Sequence, residues 1–126
     1  MKKALSEANA APKEIGYINA HATATRQGDQ EEAEAIRELF GDSVPVSSLK
    51  GYIGHTLGAS GAIELIASLL MMERGVIYPT LNLDTVSPEC EGIGHVTKQT
   101  KKEIGFILKN CFAFGGVNAA LVCKKI

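Results

Sequence analysis

The sequence predicts an α/β layered domain with a mixed sheet and one buried helix. Three observations predict it. Helical segments alternate with short apolar runs in the order α, β, α, β, α, and two strands close the chain. The stretch from Ala59 to Met72, ASGAIELIASLLMM, carries apolar residues in every direction around a helix. The last segment, EIGFILKNCFAFGG followed by VNAALVCKK, turns back on itself at a glycine pair. A length of 126 residues suits one domain, taken here as residues 1–126.

The elements follow in order. Residues 2 to 9 read as a helix that Pro12 ends, because proline disfavours αR at the residue before it. IGYINA (15 to 20) is a short apolar strand. GDQEEAEAIRELFG (28 to 41) is a helix with Asp29 as its N-cap and Gly41 as its stop. Glu31, Glu32 and Glu34 suit its positive dipole end, and Ala35, Ile36, Leu39 and Phe40 form its apolar stripe. VPVSS (44 to 48) is a second short strand. The apolar helix occupies 58 to 74. VIYPTLNLD (76 to 84) is an extended connection, since Pro79 argues against a central strand. Residues 103 to 116 and 117 to 125 form a hairpin.

The apolar helix is too short to cross a bilayer, which takes about 20 residues, and Glu64 interrupts it. Burial between layers is the better reading, and its glycines and alanines let neighbouring backbones approach. One small sheet covers one side of it, so something else must cover the other.

Bulk properties narrow the function. A net charge of −1 with 21% charged residues gives no nucleic-acid footprint, and no amphipathic polybasic segment marks a membrane surface. Cys90, Cys111 and Cys123 lack metal-ligand spacing, so no metal site is expected. Their odd number suggests reduced thiols in a cytoplasmic compartment. The N-terminus has no apolar h-region and reads as an amphipathic helix rather than a signal peptide.

Three patches can carry chemistry. NAHATATRQGD (19 to 29) places His21 where a strand ends, the usual position of functional groups in α/β folds, with Thr23 and Thr25 on one side of an extended chain. The plain alternative is a loop of small residues with a hydrogen-bonded histidine. KGYIGHTLGASGAIE (50 to 64) gathers Lys50, His55 and Glu64 among glycines. A buried Glu64 needs a partner, and Lys50 is the nearest cation able to fold back to it. A structural ion pair explains those two and leaves His55 without a task. The order of residues is not that of a P-loop. NCFAFGGVNAA (110 to 120) alternates Phe112 and Phe114 ahead of Gly115 and Gly116, and alone it reads as a hairpin with core aromatics. Cys111 has no partner that would make it a nucleophile. His95 lies in a polar stretch and reads as a surface residue, and Cys90 and Cys123 read as structural.

Together and in this order, NAHATAT, SSLKGYIGHTLGASGAIE and NCFAFGGVN resemble the C-terminal half of the type II elongating β-ketoacyl-[acyl carrier protein] synthases. The resemblance spans nearly the whole chain, PTLNLD included. It implies a thiolase-like fold, in which two similar α/β halves pack into five layers with buried helices in the middle. Residues 58 to 74 are then the middle-layer helix, covered by the other half.

The resemblance also implies a reaction. Malonyl-carrier protein loses CO₂ and the resulting carbanion attacks an acyl thioester held on a cysteine. By motif, His21 and His55 are neutral donors to the enolate oxygen, a device of the oxyanion-hole kind. Lys50 organises the site and pairs with Glu64. Thr23 and Thr25 bind the phosphopantetheine arm. Phe114 is the gating aromatic beside the acyl pocket, supported by Phe112 and Asn118. No covalently bound cofactor is implied, because the substrates ride on the phosphopantetheine of acyl carrier protein.

Several positions depart from the family pattern: Ala22 and Ala113 stand for glycine, Ala24 for serine or glycine, Leu49 for threonine and Cys111 for serine. The methyl groups of Ala22 and Ala113 narrow or stiffen the loops, and no catalytic group is lost. The family's nucleophilic cysteine belongs to the N-terminal half, and no residue here fits its place. The expected partners are acyl carrier protein, that missing half, and further copies in a homo-oligomer. The alternatives are a non-catalytic chain-length-type partner subunit, an inactive fragment, or a thiolase activity of the same superfamily. The presence of His21, His55 and Lys50 together favours the enzyme.

Overall fold

The structure, a computed structural model, describes residues 1–126. Its centre is a five-stranded sheet in the order β4-β2-β1-β6-β7. These strands are β1 (Tyr17–Asn19), β2 (Pro45–Ser47), β4 (Gly94–His95), β6 (Phe106–Ala113) and β7 (Val117–Lys124). The three pairings from β4 to β6 are parallel and β7 is antiparallel to β6, so the sheet is mixed as expected. β3 (Val76–Ile77) and β5 (Thr100–Lys101) form a separate antiparallel pair.

Alternation along the central strands assigns the two faces. Ile18 and Leu108 are register partners and point with Val46 toward Ala33, Ile36 and Phe40 of helix α2 (Arg26–Phe40), and toward Leu5 of α1 (Lys2–Glu7). Tyr17 and Ile107, one residue earlier in each strand, point the other way, toward Met71 and Met72 of α4 (Ser60–Arg74). Helices therefore flank both faces. No helix is long and apolar enough to cross a membrane.

The helix at 58 to 74 is present as α4, preceded by a 3₁₀ turn at Leu57–Ala59. Within this chain only one of its faces is covered. The covered stripe is Ser60, Glu64 and Ser68 with the two methionines, while Ile63, Ile66, Leu69 and Leu70 are exposed. A covering layer is wanting on that side, as the apolar sequence demands.

Several expectations need correction. Helix α2 begins at Arg26 with Thr25 in the N-cap position, and Asp29 is not its cap. The Asp29 carboxylate reaches back instead to the backbone N–H groups of Thr23 and Ala24. Glu32 does not merely face the helix dipole, because it is buried. α1 ends at Glu7, well before Pro12, with Asn9 in the left-handed region. His95 is a half-buried strand residue whose Nε2 lies 2.8 Å from the Cys90 carbonyl. Strands β4 and β5 and the one-turn helix α3 (Lys50–Ile53) went unpredicted, each being too short to show a period.

Candidate active site

The site grows from the C-terminal ends of the parallel strands. β1 ends at Asn19, and His21 follows two residues later, almost buried at 9% exposure. β2 ends at Ser47 and leads into α3, which begins at Lys50. Gly51 lies so close to the Leu81 backbone that a Cβ would sit 2.8 Å from its carbonyl oxygen. That approach, together with the Ser48 N–H donating to Thr80 Oγ1 at 3.1 Å, ties the turn to the PTLNLD segment.

The predicted pair of Lys50 and Glu64 is formed, with Nζ 2.6 Å from Oε1. Ser60 Oγ donates to the same oxygen at 3.2 Å. Sequence reasoning missed the second cation: Lys109 on β6 places Nζ 2.6 Å from Glu64 Oε2 and donates to the Asn110 carbonyl. Side-chain exposures of 7%, 0% and 2% for Lys50, Glu64 and Lys109 make this a buried triad. Burial pushes the Glu64 carboxyl up, but hydrogen bonds from Lys109 and Lys50 outweigh it, so the group stays below its usual range and ionised. Burial draws the Lys109 ammonium down, and the shared carboxylate opposes that fall. One carboxylate between two ammoniums leaves a net positive charge.

His21 and His55 are brought together. Their ring centroids are 5.3 Å apart in an edge-to-face arrangement. The Leu57 N–H donates to His55 Nδ1 at 3.1 Å, which places the ring proton of neutral His55 on Nε2. His21 is held well below the ordinary histidine value, at about 4, first by burial and then by Lys50, Lys109 and His55. It is therefore a neutral imidazole at pH 7.

A second missed residue holds His21 in place. Glu32 of α2 accepts the His21 N–H at 2.9 Å and the Ala22 N–H at 2.8 Å, and Asn110 Nδ2 donates to it at 2.9 Å. Ala22 and Ala24 have φ of 27° and 63°, a region unfavourable to alanine. Glu32 and Asp29 clamp that strained loop from below. The signal was available: 29, 32, 33, 36 and 40 lie on one helical stripe, so two acids share the buried side of α2. Lys109 was legible in the same way, as an inward position of an alternating strand.

The remaining candidates are spread. Phe112 meets His21 edge-on at 5.7 Å between centroids, and Asn118 lies opposite Phe112 in the β6–β7 ladder. Thr23 and Thr25 share a hydrogen bond at 3.1 Å at the rim. Phe114 stands at the hairpin tip, fully exposed. A pocket of about 140 Å³ lies on the α2 side, lined by Asp29, Glu32, Ser48, Thr80 and His95 among others, and neither histidine of the pair lines it.

The family profile described as beta-ketoacyl synthase, C-terminal domain, matches residues 1–84. The chain belongs to that family. The ketosynthase relatives extend the match through the hairpin. 3-Oxoacyl-[acyl-carrier-protein] synthase 1 of Escherichia coli K12 is 45% identical over 113 residues, covering 89% of this chain and 28% of the relative. A β-ketoacyl synthase crystal structure from Burkholderia phymatum superposes with a TM-score of 0.97 at 40% identity, over 100% of this chain and 31% of that one. A type II polyketide ketosynthase, solved with its acyl-carrier protein and bound to a hexaketide, superposes at 0.93 with 32% identity, over 99% and 31%. The chain thus spans under a third of the length of these ketosynthases, and it carries their thiolase-like fold.

Proposed function

We propose that this chain supplies the decarboxylating part of a β-ketoacyl-ACP synthase site, one that joins malonyl-carrier protein to an acyl thioester in fatty acid or polyketide synthesis. The observation that carries this reading is the neutral His21 ring set edge-on to a His55 whose proton is on Nε2. Decarboxylation breaks the bond to the malonyl carboxylate, releases CO₂ and leaves the electron pair as an enolate. Its negative charge rests on the thioester oxygen. Two neutral N–H donors fixed at that oxygen stabilise the charge without reorganising, whereas water would have to turn. Lys50 holds Glu64 under α4 and fixes the turn that carries His55.

The other roles follow from placement. Thr23 and Thr25 offer paired hydroxyls at the rim to the phosphopantetheine arm of acyl carrier protein. Phe112 backs His21, Asn118 supports it across the ladder, and the exposed Phe114 is the mobile gate. The attacking cysteine comes from the other half of the synthase, which covers the apolar face of α4, and copies of the whole associate as oligomers. Cys90, Cys111 and Cys123 are free thiols, in keeping with a reducing cytoplasm. A chain-length-type scaffold would have no use for the histidine pair together with the buried triad.

The test is His55→Ala in the assembled synthase. CO₂ release from malonyl-carrier protein falls roughly 10²–10³-fold, the scale of a lost oxyanion donor, while acyl loading on the cysteine persists. Release at the wild-type rate removes His55 from the role.

A further inference from the structure

Lys109 is the buried cation for which the decarboxylation reading has no task. It pairs in register with Asn19 on the α4 face of the sheet, directly under Glu64. Neutralising Glu64 requires one cation, and Lys50 already provides it at 2.6 Å. A second ammonium must be desolvated to reach the other oxygen, and an apolar side chain would fill the space without that penalty. The extra charge therefore needs a purpose other than balance.

We propose that Lys109 is a positioning residue for the histidine pair, an internal cation that leaves the Lys50–Glu64–Lys109 cluster with one net positive charge beside β1, where Lys109 partners Asn19 two residues before His21. The charge acts in two ways. It opposes formation of an imidazolium, so His21 remains a neutral donor as the medium turns acidic. It also adds positive potential where negative charge develops during reaction.

The groups facing His21 support this account. Lys50 comes from α3, Lys109 from β6, His55 from the turn after α3, and Glu64 from α4. The acids of α2 are engaged elsewhere: Glu32 accepts the His21 and Ala22 N–H groups, and Asp29 those of Thr23 and Ala24. After burial, Lys50 and Lys109 are the largest influences lowering His21, and Glu64 is the one that raises it. The catalytic consequence rests on the decarboxylation reading, while the charge effect stands on the geometry.

The test is an NMR pH titration of the His21 ring in the full chain, with folding checked by thermal melting. Lys109→Met removes the charge. Lys109→Gln also removes it but can still donate to Glu64 and the Asn110 carbonyl. Both should raise the His21 midpoint by about half a unit or more, and Lys109→Arg should hold it near the wild-type value. A wild-type midpoint in Lys109→Gln, or a fold that neither neutral variant can form, overturns the proposal: the first removes charge from the account, the second makes Lys109 structural. In the assembled synthase, the acid limb of CO₂ release should move up in parallel in Lys109→Gln, with KM for the malonyl thioester unchanged. If the wild-type synthase releases no CO₂, the decarboxylation reading fails, and the titration alone decides the charge effect.

Discussion

Helices α2 and α4 have the same length, 15 residues, and lie on opposite faces of one sheet. They are built inside out relative to each other. α2 buries Ala33, Ile36 and Phe40, with Glu32 as its one buried acid, and turns Gln27, Gln30, Glu34 and Glu38 to water. α4 buries Ser60, Glu64 and Ser68 and exposes Ile63, Ile66, Leu69 and Leu70. A surface helix hides its apolar stripe, so α2 reads as an outer layer. α4 presents to the outside what an outer helix would bury, and it lies against a cleft lined by Leu65, Ala119 and Leu121 that continues the apolar surface onto β7. Its polar stripe can face inward because three charged side chains there satisfy one another. The contrast locates both the missing layer and the chemistry on the same side of the sheet.

The sharpest way to break this comparison is to charge both helices. The isolated chain should self-associate at micromolar concentration through α4, since soluble monomers rarely leave large apolar patches open. Ile66→Lys with Leu70→Lys should yield a monomer by light scattering, with a stability change within about 0.5 kcal/mol, as at an exposed site. Ile66 is 59% exposed, so a lysine there meets water. Ile36→Lys on α2 buries a charge at a site 1% exposed and should abolish the melting transition. A double variant of α4 that unfolds in the same way would mean that its face is core in this chain, and the contrast would be lost.

The next effect is smaller and concerns what each inner stripe contributes. Glu64→Ala leaves two buried ammoniums without a counter-charge and should cost about 3–5 kcal/mol. Ile36→Ala should cost about 2–5 kcal/mol through lost burial and the cavity left behind. The two differ in salt response and pH response rather than in size. Urea unfolding at low and high pH separates them: Ile36→Ala should keep the wild-type pH dependence, and Glu64→Ala should lose the part that lies below pH 4.5. A cost under about 1 kcal/mol for Glu64→Ala would show that the triad is dispensable to the fold.

Much of this was legible in the sequence. The order of elements, the hairpin, the uncovered apolar helix and the Lys50–Glu64 pair were all readable from period and spacing. His21 and His55 were readable from motif, and their approach to 5.3 Å needed the fold. Glu32 was missed because it was read by its charge, as suiting the helix dipole, and Lys109 drew no reading of its own within the strand that carries it. Both occupy inward positions of their elements, and each serves a residue distant in sequence: 45 positions separate Lys109 from Glu64, and 11 separate Glu32 from His21. Asp29 was misread for a related reason. A cap and a clamp use the same carboxylate, and the helix start at Arg26 decides between them.

The smallest expected effect is the pH dependence of stability that His21 imposes, and it sharpens the claim that the chemistry lies on the α4 side. In the folded chain His21 titrates at about 4, because burial, then Lys50, Lys109 and His55, disfavour its charged form. The unfolded histidine titrates at about 6.5. Between those values the unfolded chain binds a proton that the folded chain refuses, so stability falls as pH drops from 6.5 toward 4 and is indifferent to His21 above that window. Glu64 is depressed and adds its loss lower, as pH passes below 4.5. Asp29, raised first by burial and then by Glu32, works in the opposite direction as pH falls through its raised value. A variant that cannot take the proton isolates the histidine's share within the interval from pH 6.5 to 5. Urea midpoints measured across it should fall in the wild type and fall less in His21→Gln, which cannot take the proton in either state. An equal fall in both would place the titrating group elsewhere and detach the triad's positive charge from His21.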